Sequence, residues 1–380
     1  MNSIAMVPSS MGDYRFAFSR NTILTSSAGI GEVVSLCFDT SHELLWACNS
    51  LGKVASYFGS SLEPYTSFTS LGGAPRAIDV IGNAVILLLK DGICAFRRRG
   101  LILYDYTNDN MEDLTCICSL PSAPNCFVLS GHQRKIIQMD LETQKEQRLI
   151  LLDEGTDCLT ARANDKALYT TDSNGQLVMR SIDSMEVINI VSAHNGGIYD
   201  FDVSGHRIIT CGFTKKGSSS FPDPFLKIYD ARNLKAFQPY LMHHYPAVLC
   251  RFANSFSDGR VLVGTKYGQM LSLDLNDRQT NLLYQSCEQA PITSMHVSSS
   301  RQCASIGDAS GCISLFLDRE MAAFNVQSWP VVVLSVEECL PPLPIDSVNS
   351  NLACIPTPLP SDSGYCSDIW PEESIKKQFR

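Results

Sequence analysis

The sequence predicts an all-β fold: a seven-bladed β-propeller followed by an extended proline-rich tail. Three observations predict it. Tight turns recur at near-even spacing, each is flanked by short alternating strands, and the composition changes after about Phe316. The turns are Ser50-Leu51-Gly52, Asp91-Gly92, Gly131-His132-Gln133, Ser173-Asn174-Gly175, Asp223-Pro224, Lys266-Tyr267-Gly268 and Ser310-Gly311. They lie about 40 to 44 residues apart, with one interval near 49, which is the period of a four-stranded blade. The long interval contains Lys215-Lys216-Gly217-Ser218-Ser219-Ser220, which reads as a flexible loop inserted in the fifth blade. The third turn lacks a clear turn glycine.

After each turn, apolar residues alternate with polar ones, as in Val54, Ser56 and Phe58, or Met270, Ser272 and Leu273-Asp274. Before each turn comes a strand pair, such as Val34-Ser35-Leu36-Cys37-Phe38 with Leu44-Leu45-Trp46-Ala47. Period-2 alternation at even spacing argues for strands, and no i, i+3, i+4 stripe is sustained. A ring closes by giving one blade a strand from the far end of the chain, which removes exposed sheet edges. Tyr14 to Leu24 is the candidate for that strand. The expected organisation is therefore residues 1–31 as an N-terminal segment with the closing strand, 32–318 as the propeller and 319–380 as a partner-binding linker.

Composition bounds the function. Of the 380 residues, 44% are hydrophobic and 18% charged, enough to fold most of the chain around a core. The net charge of −9 argues against general nucleic-acid binding, which needs a strong basic field. The 15 cysteines sit in apolar runs without a C-x-x-C pair, and no secretory signal is recognised. They read as reduced thiols serving as small core groups in a cytosolic or nuclear protein. The longest apolar run, Ala84 to Leu89, is strand-sized, so no transmembrane helix is expected.

The fifth repeat is the most complete, with Ala193-His194, Tyr199-Asp200-Phe201 and Asp223…Tyr229-Asp230. In WD repeats a histidine, a turn aspartate and an aromatic form a buried hydrogen-bonded set. His194, Asp223 and Tyr229 stand at those places, so the histidine reads as structural rather than catalytic.

No catalytic constellation is recognised: there is no phosphate loop, H-E-x-x-H or G-x-S-x-G, and no compact acidic cluster. No catalytic, metal or cofactor site is expected in these residues. His243-His244 reads as a solvated pair. An enzyme using the central channel would need convergent polar groups at its mouth, and the sequence displays none. Arg97-Arg98-Arg99 is the one dense basic run. It reads as a solvated blade-edge loop, with contact to RNA phosphates or an acidic partner as the functional alternative. Asp362-Ser363-Gly364-Tyr365-Cys366-Ser367 fits a D-S-G-x-x-S spacing that phosphorylation could turn into a recognition element.

Eight of the 18 prolines fall between Pro330 and Pro371, and proline cannot donate to a sheet ladder. The tail also carries Trp329, Val331-Val332-Val333-Leu334, Leu340, Leu343, Ile355-Pro356, Leu359 and Ile369-Trp370. Large apolar residues spaced along a stiff extended chain suit a segment that orders on a partner.

Three stretches resemble one family. They are Glu43-Leu44-Leu45-Trp46 with Gly52, Ser56-Tyr57-Phe58-Gly59 and Tyr65-Thr66-Ser67-Phe68; Phe225 through Arg232; and the tail runs Leu340-Pro341-Pro342-Leu343, Ile355-Pro356-Thr357-Pro358-Leu359 and Ser367-Asp368-Ile369-Trp370. Arg99-Gly100-Leu101-Ile102 and Gly307 through Cys312 also fit. From about residue 32 to 370 the chain resembles the N-terminal part of the catalytic subunits of poly(A)-nuclease deadenylation complexes, which shorten messenger RNA tails. In that family a propeller and linker precede an inactive ubiquitin-hydrolase-like domain and a metal-dependent exonuclease domain. The resemblance implies that this stretch is a scaffold without an active site, the divalent metal belonging to the exonuclease domain. It implies that the linker, through Leu340, Leu343, Ile355, Pro356, Leu359 and Trp370, is clasped by a homodimeric pseudokinase regulatory subunit. It further implies engagement of tails coated by poly(A)-binding protein, and residence in the cytoplasm and P-bodies, with the nucleus also open. Little direct nucleic-acid contact and no membrane contact are expected. The competing expectation is a generic WD-repeat adaptor, such as a ubiquitin-ligase substrate receptor.

Overall fold

A computed structural model describes residues 19–24, 31–70, 72–242, 245–253, 259–286, 289–317 and 322–326, the first of these as backbone only. Among the described residues there are seven antiparallel sheets and no helix. Blade 1 is Val33–Phe38, Leu44–Asn49, Lys53–Phe58 and Glu63–Thr69; blade 2 is Ala77–Ile81, Ala84–Leu88, Gly92–Phe96 and Ile102–Thr107. Blade 3 is Leu114–Leu120, Ala123–Gly131, Lys135–Asp140 and Lys145–Leu151; blade 4 is Thr160–Ala163, Ala167–Thr171, Gln176–Ser181 and Val187–Ser192. Blade 5 is Gly197–Ser204, Arg207–Lys216, Phe225–Asp230 and Tyr240–Leu241, and blade 6 is Ala247–Phe252, Arg260–Thr265, Gln269–Asp274 and Gln279–Gln285. Blade 7 takes Ile292–Val297, Cys303–Asp308 and Cys312–Leu317 from the end of the ring and Ser19–Leu24 from its beginning.

The first strand of each blade touches the first strand of the next, and that of blade 7 touches that of blade 1, so the sheets form a closed ring around a central channel. Successive hairpins alternate between its two faces. The upper face carries the turns between second and third strands and the links between blades; the lower face carries the turns between first and second strands and, in blades 1 to 6, those between third and fourth.

Neither side of a blade can face water, because alternating residues on both sides are apolar. The core is accordingly divided into seven clusters, one at each blade-to-blade boundary. Blades 2 and 3 meet through Ile86, Leu88, Phe127 and Ile137, all without measurable exposure. Blades 5 and 6 meet through Ile209, Leu226, Cys250 and Val263. Truncating such a side chain costs about 2–5 kcal/mol through lost transfer energy and the cavity left behind. The eleven described cysteines are free thiols, nine of them buried in these boundaries, and burial pushes the Cys48 and Cys158 thiols up to about 12.

Positive-φ glycines sit at the predicted turns, for example Gly52, Gly175, Gly268 and Gly311. At Gly175, with φ of +81°, a Cβ would collide with the carbonyl oxygen of His194, so neither the dihedral nor the space admits a side chain.

The insertion in blade 5 departs from expectation. Lys215 to Ser220 is not a flexible loop but the tip of a β-hairpin. Phe213 pairs with Pro222, Thr214 with Phe221, Lys215 with Ser220 and Lys216 with Ser219. The two-residue turn begins at Gly217, whose φ of +64° suits a tight hairpin. The second strand of this blade simply runs ten residues, past the sheet and out of the upper face.

The ring closes through two contacts at one seam. Ser19–Leu24 runs antiparallel to Cys312–Leu317, from Ser19 opposite Leu317 to Leu24 opposite Cys312. Of the stretch Tyr14 to Leu24, residues 14–18 lie outside the described residues, as do 1–13 and the tail beyond 326. On the lower face Phe324 inserts between blades 7 and 1, fully buried and edge-on to Phe38 with ring centroids 4.7 Å apart.

Removing residues 1–24 is expected to leave the third strand of blade 7 as a bare edge. The thermal midpoint should fall by several degrees and light scattering on heating should rise. An unchanged midpoint would mean that the seam holds without its N-terminal strand.

Candidate interaction sites

The root of the tail is clamped on the lower face. The Glu43 carboxylate accepts the backbone N–H groups of both Phe324, at 2.6 Å, and Asn325, at 3.0 Å. The Asn325 amide donates to the His42 carbonyl at 2.7 Å and accepts from Ser299 Oγ at 2.7 Å. Ser300 Oγ donates to the Ala323 carbonyl, and Gln302 Oε1 accepts the Ala323 N–H. Blade 1 and blade 7 therefore grip the same short stretch, Ala323 to Asn325, so the point from which the chain continues is fixed. The role of Glu43 was not visible in its tetrapeptide Glu43-Leu44-Leu45-Trp46, because its partners lie some 280 residues later.

The arginine run is not a basic surface. Arg98 is 2% exposed and forms a two-pronged pair with Asp39, Nε to Oδ2 at 2.7 Å and Nη2 to Oδ1 at 3.0 Å. Its Nη2 also donates to Ser41 Oγ and to the Gly82 carbonyl, and Trp46 Nε1 donates to Asp39. This buried pair ties the lower-face loops of blades 1 and 2. Burial by itself would raise the Asp39 carboxyl, but hydrogen bonds from His42 and Arg98 outweigh it and hold the group far below the usual carboxylate range. Arg99 stacks its guanidinium 4.6 Å over the Tyr65 ring, and Arg97 is half-buried. Arg97 to Gly100 form a tight turn, the Gly100 N–H donating to the Arg97 carbonyl at 2.8 Å, and this turn carries Arg98 inward, so the solvated-loop reading and the phosphate-contact reading both fail for Arg98.

In blade 5, His194 Nδ1 lies 2.9 Å from Asp223 Oδ2 and Nε2 lies 3.0 Å from Thr210 Oγ1. Burial lowers the histidine pKa against the pull of Asp223, which keeps the ring neutral. The Nδ1–H then donates to the carboxylate and Nε2 accepts from Thr210. Asp223 also caps its turn by accepting the Phe225 N–H at 3.0 Å. Tyr229 is buried, but no hydrogen bond joins it to His194, Thr210 or Asp223. The aromatic place is thus a packing position here, and Thr210 is the member that pattern matching passed over.

The central channel is polar, contrary to the sequence reading. A cavity of about 540 Å³ is lined in part by Asp79, Arg162, Asp200, Arg251 and His296. Asp200 pairs with Arg251 and lies 3.7 Å from Arg162, and its Oδ2 accepts the Cys250 N–H. Asp202 accepts the Phe252 N–H at 2.8 Å. Burial pushes Asp79 up to about 6, and burial together with Arg251 and Arg162 presses His296 down to about 3. These groups come from the innermost strands of five blades, and most of their bonds run from one blade to the next, which marks them as spokes of the ring. Among the described residues no cluster of three or more histidine, cysteine or acidic side chains could hold a metal ion. His243-His244, Asp362 through Ser367 and the tail residues Leu340, Leu343, Ile355, Pro356, Leu359 and Trp370 lie outside the described residues.

Two sets of variants test these assignments. Arg98→Ala should lower stability by about 3–5 kcal/mol in urea unfolding, because Asp39 would remain buried without its partner. Since the Asp39 pKa is depressed in the folded state, its contribution is present above about pH 4 and is lost as the pH falls below that, so wild type and variant should converge in acid. Thr210→Val should cost about 1–3 kcal/mol by orphaning His194 Nε2, whereas Tyr229→Phe should stay within about 0.5 kcal/mol. The reverse order would reinstate Tyr229 as the hydrogen-bonding member.

The comparisons with known proteins agree with this architecture. Residues 18–317 match the family described as PAN2 N-terminal. The PAN2-PAN3 deadenylation complex catalytic subunit Pan2 of Mus musculus is 29% identical over 351 residues, covering 90% of this chain and 29% of that protein. Its Homo sapiens counterpart is also 29% identical, with 90% of this chain and 28% of that protein covered. This chain therefore spans under a third of the length of those relatives. The Neurospora crassa Pan2 WD40 domain superposes with a TM-score of 0.72 at 19% identity, over 83% of this chain and 99% of that domain, which establishes the shared fold. With the match running from the closing strand to the last strand of blade 7, this chain belongs to the PAN2 N-terminal family, and its ring is a WD40 propeller.

Proposed function

We propose that this chain is the scaffold module of a PAN2-PAN3-type deadenylation complex, and that the segment following the ring docks the pseudokinase regulatory subunit. The observation that carries the reading is family membership joined to the clamp on Phe324 and Asn325. A partner-binding segment loses less entropy on docking when its root is already held and its prolines already restrict it. Leu340, Leu343, Ile355, Pro356, Leu359 and Trp370 are the anchors we assign, large apolar groups spaced along an otherwise extended tail. In this reading the tail is clasped by a homodimer of the regulatory subunit. The ring helps engage poly(A) tails coated by their binding protein, and the work takes place in the cytoplasm, including P-bodies. The 3′-exoribonuclease chemistry then belongs to other domains of a longer protein.

The test is a binding measurement between the 380-residue chain and the purified pseudokinase subunit. The double variant Leu343→Ala, Trp370→Ala should weaken binding by about tenfold or more. Undiminished affinity would remove the anchor assignment. The chain incubated alone with polyadenylate and magnesium should leave the RNA intact, and rapid metal-dependent shortening would overturn the scaffold reading.

A further inference from the structure

The blade 5 hairpin and its surroundings form a surface unlike the rest of this acidic chain. Three exposed rings from three chain segments stand on the upper face of blades 5 and 6: Tyr199 at 45% exposure, Phe221 at 54% and Tyr267 at 48%. Tyr199 is displaced outward by a bulge, since its neighbours Ile198 and Asp200 pair with Gly212 and Cys211 and it pairs with neither. It rests against Phe213 of the hairpin with ring centroids 5.1 Å apart. Phe221 lies on the return strand, and Tyr267 occupies the corresponding turn of blade 6.

Ammonium groups share this face with the rings. Lys215 and Lys216 are exposed at the hairpin tip, and Lys266 Nζ sits 5.3 Å over the Tyr267 ring. Among the described residues of the upper-face loops of blades 5 and 6, the only carboxylate is Asp223, which is buried against His194 and Thr214. The patch therefore carries local positive charge on a chain whose net charge is −9. The hairpin is held in place by the Asn195 side-chain amide, which donates to the Lys215 carbonyl at 3.4 Å.

We propose that this surface binds a single-stranded polynucleotide, with Tyr199, Phe221 and Tyr267 as base-stacking platforms and Lys215, Lys216 and Lys266 as phosphate contacts. Flat exposed rings accompanied by cations match a ligand that carries both planar bases and phosphates. An acidic peptide would use the lysines but leaves three solvent-facing rings without a purpose. The acidity of the remaining surface confines a polyanion to this patch and keeps the affinity modest and salt-sensitive. The proposal does not depend on where the regulatory subunit docks.

The experiment is fluorescence polarisation of labelled oligonucleotides of about 12 nucleotides, as RNA and as DNA, titrated with the 380-residue chain at about 50 and 200 mM salt. Saturable binding that weakens with salt is expected, and a preference for RNA would assign part of it to the ribose hydroxyl. Lys215→Ala, Lys216→Ala, Lys266→Ala together should weaken binding about tenfold or more and flatten the salt dependence. Tyr199→Ala, Phe221→Ala, Tyr267→Ala should weaken it comparably while leaving the salt slope intact. All six side chains are on the surface, so the thermal midpoints should match wild type, and each set serves as the folding control for the other. No polarisation change at about 100 µM chain at the lower salt, or wild-type affinity in both variants, would overturn the proposal. Competition by polyglutamate as effective as by unlabelled oligonucleotide would also overturn it, by assigning the patch to acidic proteins.

Discussion

Everything in this molecule depends on the ring being closed. Each blade is apolar on both sides, so a blade without two neighbours exposes a face that would otherwise be core. Six boundaries form between blades that are consecutive in sequence. The seventh, between blades 7 and 1, has to be made from the two ends of the ring. Polar groups from outside the sheets reinforce it: Glu43 receives two backbone N–H groups and Asn325 bridges His42 and Ser299, while Phe324 fills the space beside Phe38. Thr293 adds a bond to the Val33 carbonyl, and Ser294 accepts the Leu36 N–H.

Around the rest of the ring the same task is done by groups that look functional in isolation. Asp39 and Arg98 join blades 1 and 2, Asp200 and Arg251 join blades 5 and 6, and His194 with Asp223 and Thr210 fixes the entry to blade 5. Buried charges are tolerated at these places because each is paired and further hydrogen-bonded. A polar channel in a propeller is thus not by itself a catalytic cavity. Most of its side chains are already committed to holding neighbouring blades.

Much of the fold was legible because a blade leaves a local signature. The positive-φ turns at Gly52, Gly175 and Gly268, the alternation in Val54, Ser56 and Phe58, and the near-even period all follow from backbone requirements that act within about 40 residues. The misreadings share the opposite cause. Arg98 looked like one of three exposed cations because its partner stands 59 residues earlier on another blade. Lys215 to Ser220 looked like a loop because Ser and Gly are turn-formers, yet pairing with the end of a long second strand overrides local preference. Thr210 was overlooked because a threonine in a strand is unremarkable until its hydroxyl is seen against a histidine ring. The channel residues were invisible for the same reason, since convergence at the ring axis is a property of closure and not of any one repeat.

The closing strand also sets a clock. Ile23 lies opposite Ile313, so among the described strands the first to be made is paired with the last. At a synthesis rate of about 5–20 residues per second, Ser19–Leu24 is outside the ribosome for roughly 15–60 seconds before its partner exists. Through that interval six blades can stack while the first keeps an unsealed face. The same geometry brings both ends of the ring out at one seam, so the nascent protein goes from open to sealed in a single late event. Until that event the buried side of Phe38, and the pocket that later takes Phe324, are the natural targets for a chaperone.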